Sequence, residues 1–284
     1  VYITGSRGCV RKCTFCDIYN IWPKFRYRSA ESIVNEMKSH YENYGVTRFD
    51  FTDSLINGSV SNFYKFNTLL AEAKAKDSNL KDIVYLGQAI CRPRNQMPES
   101  HYEAMYYAGC KQLTIGIESF SNSVRDHMKK KFSDRDIHYH LEQCKYWNIP
   151  NVFLMITGYP TETLMDHQKN ISDIEKYKDY AQMGIIEMIR WGTTMHLIGD
   201  TPITSEKNVR ELGLKGSDND QISGGELATY NWTSDANPNL DLRERIRRRL
   251  ELHEKSVECG YPQPRVKAEL QTIYDMAKLL DKSQ

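Results

Sequence analysis

The sequence predicts an α/β protein, a partial, open (β/α)6 TIM-type barrel with a C-terminal loop and helical extension. Two observations carry that expectation. Apolar strand-like runs alternate with longer helical patterns over about the first 200 residues, the rhythm of βα units on a parallel sheet. Six such units are present, where a closed barrel needs about eight. A third observation is positional: the residues that bear chemistry fall at or just after the expected strand ends, where barrels gather their active groups.

The elements follow in order. Val1-Tyr2-Ile3-Thr4 reads as the first strand, and a loop with three cysteines comes next. A helix is expected over 29–44, with Ser29, Glu31 and Ser32 forming its N-terminal signal. The second strand, 47–52, leads to a helix over 60–76, and the third, 82–87, to a helix over 98–109. The fourth, 112–117 (Gln-Leu-Thr-Ile-Gly-Ile), precedes a helix over 133–147; the fifth, 151–157, precedes one over 163–180; the sixth spans 184–191. Beyond it the rhythm stops. Gly192-Thr193-Thr194, Gly199-Asp200-Thr201-Pro202, Gly224-Gly225 and Asn237-Pro238 mark loops. Helices over 241–258 and 265–281 close the chain.

Composition bounds the rest. A chain of 284 residues holds one large or two small domains; the expected division is 1–200 for the barrel core and 201–284 for the extension. A net charge of +1 gives no electrostatic argument for nucleic acid or a membrane surface. No run approaches the roughly 18 apolar residues of a membrane span, and no signal peptide precedes the first strand. The chain opens directly on a strand without an initiator methionine, so the expectation is a fragment with an upstream domain missing.

Cys9, Cys13 and Cys16 lie in Gly8-Cys9-Val10-Arg11-Lys12-Cys13-Thr14-Phe15-Cys16-Asp17, a CxxxCxxC spacing with an aromatic before the third cysteine. Three thiolates on one loop hold three corners of a 4Fe–4S cube and leave the fourth iron open to another ligand. A structural zinc site wants four ligands, and the nearest fourth candidate, His40, has no partner motif. Seven cysteines is an odd count in a chain too long to need disulfides. A ferredoxin-type carrier supplies a fourth cysteine per cluster. Thiols that must stay reduced for iron suit the cytoplasm.

This pattern resembles the radical S-adenosylmethionine (SAM) superfamily. The resemblance implies that SAM chelates the open iron and that reductive cleavage yields a 5′-deoxyadenosyl radical, with a flavodoxin or ferredoxin as reductant. It implies cofactor contacts for Phe15 and, after strand two, for Asp53 and Ser54 toward the SAM amino group, although the family's Gly-Gly-Glu is absent. After strand three, Gln88 and Arg92 are placed to face SAM or substrate, and Cys91 to return a hydrogen atom to a product radical. Gly116-Ile117-Glu118-Ser119-Phe120 resembles the family's strand-four motif, so Glu118 and Ser119 would meet the ribose hydroxyls or amino-acid end of SAM. Lys130, in Met128-Lys129-Lys130-Lys131-Phe132-Ser133, would meet its carboxylate. Ile156-Thr157-Gly158-Tyr159-Pro160-Thr161-Glu162-Thr163 resembles the adenine-contacting stretch, giving Ile156 and Gly158 cofactor roles and Glu162 a structural one; Leu154 stands where that stretch has glycine.

The Gly-Tyr-Pro-Thr-Glu-Thr wording, with Arg26-Tyr27-Arg28-Ser29, is similar to the branch shared by tRNA methylthiotransferases and radical SAM proteins with cobalamin-binding domains. Cobalamin is implied only if an upstream domain exists. The favoured substrate is a small molecule or peptide, modified by methylation among other reactions. RNA is the alternative, through Arg243, Arg245, Arg247, Arg248 and Arg249, but Glu244, Glu251 and Glu254 are interleaved and favour a solvated, ion-paired helix face. A non-catalytic iron–sulfur redox protein is the rival from another class. Trp232 and its neighbours are expected to cover the barrel's open side.

Overall fold

The structure, a computed structural model, describes residues 1–216, 231–262 and residue 275. Six strands form one parallel sheet: β1 (Tyr2–Ile3), β2 (Arg48–Phe51), β3 (Val84–Ala89), β4 (Cys110–Glu118), β5 (Asn151–Thr157) and β6 (Ile186–Thr194). Their order in the sheet is their order in the chain. Without a reversal of direction, successive crossovers, right-handed by the general rule, wind one way, and the sheet curls into an arc with helices outside. The expected partial barrel is what forms.

Most of the longer helices start where a side chain satisfies free backbone N–H groups. Ser29 accepts from the Ser32 N–H at the head of α1 (Ala30–Tyr44), and Gly45, at φ +65°, ends it. Ser59 caps α2 (Val60–Lys76); α3 (Glu99–Ala108) follows β3, and a short α4 (Asn122–His127) follows β4. Reciprocal capping boxes, Ser133 with Asp136 and Thr163 with Asp166, open α5 (Asp134–Tyr146) and α6 (Leu164–Lys176). Strand alternation sets the two faces. Leu113, Ile115 and Ile117 of β4, with Phe153 of β5, are buried against the helices, each such side chain contributing ~1.5–3 kcal/mol by leaving water. Thr114, Gly116 and Glu118 take the opposite face, toward the inside of the arc.

The departures have local causes. Asp77 caps a 3₁₀ turn over Ser78–Asp82, which pushes the third strand two residues later than expected and brings Gln88 within it. The helix expected over 163–180 breaks at Tyr177 into α6 and α7 (Lys178–Gln182). The region expected as loops holds more: β6 runs on to Thr194, Ser205 and Gly213 bracket α8 (Glu206–Leu212), and Leu214–Gly216 pairs antiparallel with Trp232–Ser234. Trp232 is fully buried, donates its indole N–H to the Met195 carbonyl at 2.9 Å, and anchors a second apolar cluster with Val124, Tyr159 and Leu197.

The arginine-rich helix α9 (Leu242–Glu258) packs against β6 and α6. It is not the solvated face expected. Arg245 and Arg248 are buried, Arg245 stacking 3.9 Å from the Trp232 ring centroid and Arg248 pairing with the buried Glu162 at 3.0 Å. Arg247 matches the expectation, exposed and paired with Glu244 and Glu251. The Gly224-Gly225 loop lies outside the described residues, as does the helix expected over 265–281 apart from residue 275.

Candidate active site

A cleft of about 280 Å3 opens at the C-terminal ends of the strands, and the three motif cysteines line it. The loop that carries them is pinned at Thr14. Its N–H donates to the Met128 carbonyl at 3.1 Å, its carbonyl accepts from the Ile203 N–H at 2.8 Å, and its hydroxyl lies 2.7 Å from the Tyr159 hydroxyl. The Arg11 N–H donates to the Cys9 sulfur at 3.4 Å. Burial pushes the Cys13 thiol up to about 11, with the Lys130 ammonium working against it. Burial likewise raises Cys16, opposed by a hydrogen bond from the Ile18 backbone.

Opposite the loop, Glu118 and Lys130 form a nearly buried ion pair at 3.1 Å. Both are held by unusual backbone. Glu118 sits at φ +68° at the end of β4, beside a register shift against β5, a conformation costing roughly 1–3 kcal/mol that persists only where the surroundings over-determine it. Lys129 and Lys131, at φ +59° and +57°, flank Lys130 and turn it inward while they face solvent. Burial alone would pull the Lys130 ammonium down, but the Glu118 carboxylate and the thiols of Cys13 and Cys9 hold it above its ordinary value. Gly116 makes room for the pair: a Cβ there would lie 2.4 Å from a Glu118 carboxylate oxygen and 3.1 Å from the Lys130 nitrogen.

Phe15, Ser54, Gln88, Glu118 and Lys130 are thus brought together with Cys9, Cys13 and Cys16 in one cleft. Leu154 lines it too, filling space that glycine would leave open. Thr114 and Gly116 were not singled out from the sequence; counting back by two along β4 from Glu118 finds both.

The other candidates stand elsewhere. Asp53 is buried outside the cleft lining, and its carboxylate accepts from the Gly5 N–H at 2.8 Å and the Ser6 hydroxyl at 2.5 Å; burial raises its pKa against those bonds. Arg92 donates to the carbonyls of Asn57 and Gly58 at 2.9 and 3.1 Å and lies within electrostatic reach of Cys9 and Arg11. Ser119 is buried, donating to Asn170 at 3.2 Å and accepting from the Ser121 N–H. Cys91 lies in the main core, its thiol pushed up to about 12 by burial, outside the cleft lining. Ile156 packs beside Phe15 against the second apolar cluster. Gly158 adopts φ +75° and donates to Glu162, and a Cβ there would come within 2.4 Å of the Arg245 side chain, so its glycine serves backbone conformation and packing. Glu162 is a wholly buried support, as expected, pushed up to about 7 by burial despite Arg248.

The donor set fits a 4Fe–4S cube with one open iron. Three thiols share a short loop, backbone N–H groups reach the sulfurs of Cys9 and Cys16, and a cation stands beside them to balance thiolate charge. Among the described residues no three His, Cys, Asp or Glu side chains converge as a single ion requires. The remaining described cysteines, Cys91, Cys110, Cys144 and Cys259, are buried apart from the cleft.

The family described as the Radical SAM superfamily matches residues 3–174. The ribosomal protein uS12 methylthiotransferase RimO of Clostridium novyi (strain NT) is 31% identical over 192 residues, 66% of this chain and 42% of that protein. RimO of Clostridium perfringens (strain SM101 / Type A) is 28% identical over 222 residues, 74% of this chain and 47% of that protein. The chain therefore spans less than half the length of these relatives. In fold it resembles the radical SAM methyltransferase TsrM of Kitasatospora setae (TM-score 0.59, 17% identity, 77% of this chain and 41% of that one). It also resembles the cobalamin-dependent SAM radical enzyme OxsB (TM-score 0.64, 15% identity, 97% and 45%). No helix among the described residues is long and apolar enough to cross a membrane.

Proposed function

The chain belongs to the radical SAM superfamily, and from that premise we propose that it is an enzyme that cleaves SAM reductively and modifies a peptide segment of a protein. One observation carries the reading: a single cleft at the strand ends collects all three cysteines of the CxxxCxxC loop and the buried Glu118–Lys130 pair. Cys9, Cys13 and Cys16 would hold the cluster. When bound, it supplies the electron that breaks the SAM sulfonium to methionine and a 5′-deoxyadenosyl radical able to take hydrogen from an unactivated C–H bond.

The chain's own residues bind and orient. Lys130 offers its ammonium to the SAM carboxylate, and the Glu118 carboxylate accepts from the ribose diol or the amino group. Ser54, Gln88 and Thr114 supply a polar wall, while Phe15 and Leu154 exclude water from the reacting carbon. A peptide substrate is supported by the relatives, whose names give ribosomal protein uS12 as the protein modified. Burial of Arg245 and Arg248 removes two cations from the helix that would grip RNA. Methyl or methylthio transfer is the reaction class of the relatives' names, and a flavodoxin or ferredoxin is the reductant in this reading.

The test is anaerobic. After reconstitution with iron and sulfide and reduction with dithionite, SAM should yield 5′-deoxyadenosine by mass spectrometry, and a Cys9/Cys13/Cys16→Ala variant should give none. A loaded cluster whose EPR signal ignores SAM would overturn the reading in favour of a non-catalytic redox protein.

A further inference from the structure

Beside the start of the cysteine loop lies a groove of about 570 Å3, lined by Arg7, Arg26, Arg28, Trp22 and Tyr27 among others. It shares no lining residue with the active cleft. Its floor is a two-residue antiparallel ladder, Ser6–Arg7 against Arg26–Tyr27, in which Arg7 and Arg26 stand directly opposite each other. Like charges in that register repel and cost stability. Arg28 is neutralised by Glu36, but neither Arg7 nor Arg26 has a carboxylate partner among the described residues, and both are exposed. Arg7 rests 4.9 Å from the Trp22 ring centroid, held outward.

The surroundings extend the pattern. Residues 1–29 carry six Lys or Arg against one acid, Asp17, in a chain whose overall net charge is +1. Val10, Tyr19, Ile21 and Tyr27 are exposed among them. Apolar rings and side chains set among mostly basic groups describe an interaction surface for a partner of opposite charge. The groove wall also touches the cysteine loop: a Cβ on Gly8, the residue before Cys9, would lie 3.1 Å from the Lys24 carbonyl and 3.2 Å from the Trp22 Cβ. A partner seated here is one residue from Cys9, while the cleft, which shares no lining residue with the groove, stays free for SAM and substrate.

We propose that this groove is the docking surface for an acidic one-electron carrier protein of flavodoxin or ferredoxin type, which hands its electron to the cluster through the Trp22–Gly8–Cys9 wall. The carrier is oxidised by one electron and the cluster reduced by one; no bond is made or broken. The proposal rests on the cluster assignment above but not on SAM cleavage, and its test reads neither product nor turnover.

The experiment follows bleaching of the cluster's visible absorption in stopped flow, in the reconstituted protein, with reduced flavodoxin or with photoreduced 5-deazaflavin, a small neutral reductant. The R7E/R26E double variant should be reduced by flavodoxin at least tenfold more slowly than the unaltered protein at low salt, and by deazaflavin at the same rate. Raising ionic strength should slow the flavodoxin reaction of the unaltered protein toward that of the variant. Equal slowing with both reductants would mean a disturbed loop and overturn the proposal, as would no slowing with either. A variant that keeps flavodoxin reduction but loses salt-sensitive affinity for a tRNA pool would overturn it in favour of nucleic acid.

Discussion

Glu118 and Lys130 face each other at 3.1 Å with their side chains almost out of water, so neither can be removed without stranding the other. Lys130→Met should cost about 3–5 kcal/mol, the usual penalty for an uncompensated buried charge, seen as a lower urea midpoint of the cluster-free protein. Glu118→Gln keeps the shape and removes a charged acceptor. It should leave cluster content unchanged and weaken SAM binding about tenfold, roughly 1.4 kcal/mol, in titrations of the SAM-induced EPR change. A different residue governs acid stability. His140 is wholly buried between the Tyr102 hydroxyl and the Asn151 amide oxygen, and burial lowers its pKa from 6.5 to about 4. Between those values the unfolded chain binds more protons than the folded one, so its contribution is full above pH 6.5 and lost as pH falls toward 4, roughly 3 kcal/mol in all. His140→Gln should flatten the dependence of urea midpoint on pH across that window.

Among the elements, α9 is tied to the barrel by Arg248 on Glu162, by His167 on Glu251 at 2.9 Å and by the Trp191 indole on Ser256 at 2.8 Å. Arg248→Ala leaves Glu162 buried without its cation, and its already raised pKa climbs further above that of the unfolded chain. The folded form then holds a proton that the unfolded form releases, so stability falls as pH rises. The variant should be more destabilised at pH 8 than at pH 5, by urea denaturation at both. Longer helices such as α1, with its Ser29 cap, and α2 were legible because their periodicity persists over three or more turns. The two-turn α4 and α8 were not, since six or seven residues are too few to display a period. The same limit applies to the site. The cysteine spacing and the strand-end Glu118 are legible as patterns, whereas the hydrogen bonds of Asp53, Arg92 and Ser119 to Gly5, Asn57 and Asn170, all distant in sequence, are not.

At the scale of the molecule, most of the two apolar clusters that carry the fold lies outside the cleft, touching its lining at Ala89 and Phe15. The Cys9/Cys13/Cys16→Ala variant should therefore keep its far-UV circular dichroism and melt cooperatively, losing iron but not architecture. A collapse to an unfolded spectrum would show instead that the cluster organises the sheet. The pinning of Thr14 has a consequence for how such a protein is made. Its partners are residues 128, 159 and 203, so the ribosome releases the cysteines long before it supplies what shapes their loop. At ~5–20 residues per second the interval is on the order of ten to forty seconds. Through that interval the three thiols travel on an unfinished chain, and iron–sulfur delivery has a formed receptacle only once translation has passed the barrel's last strand.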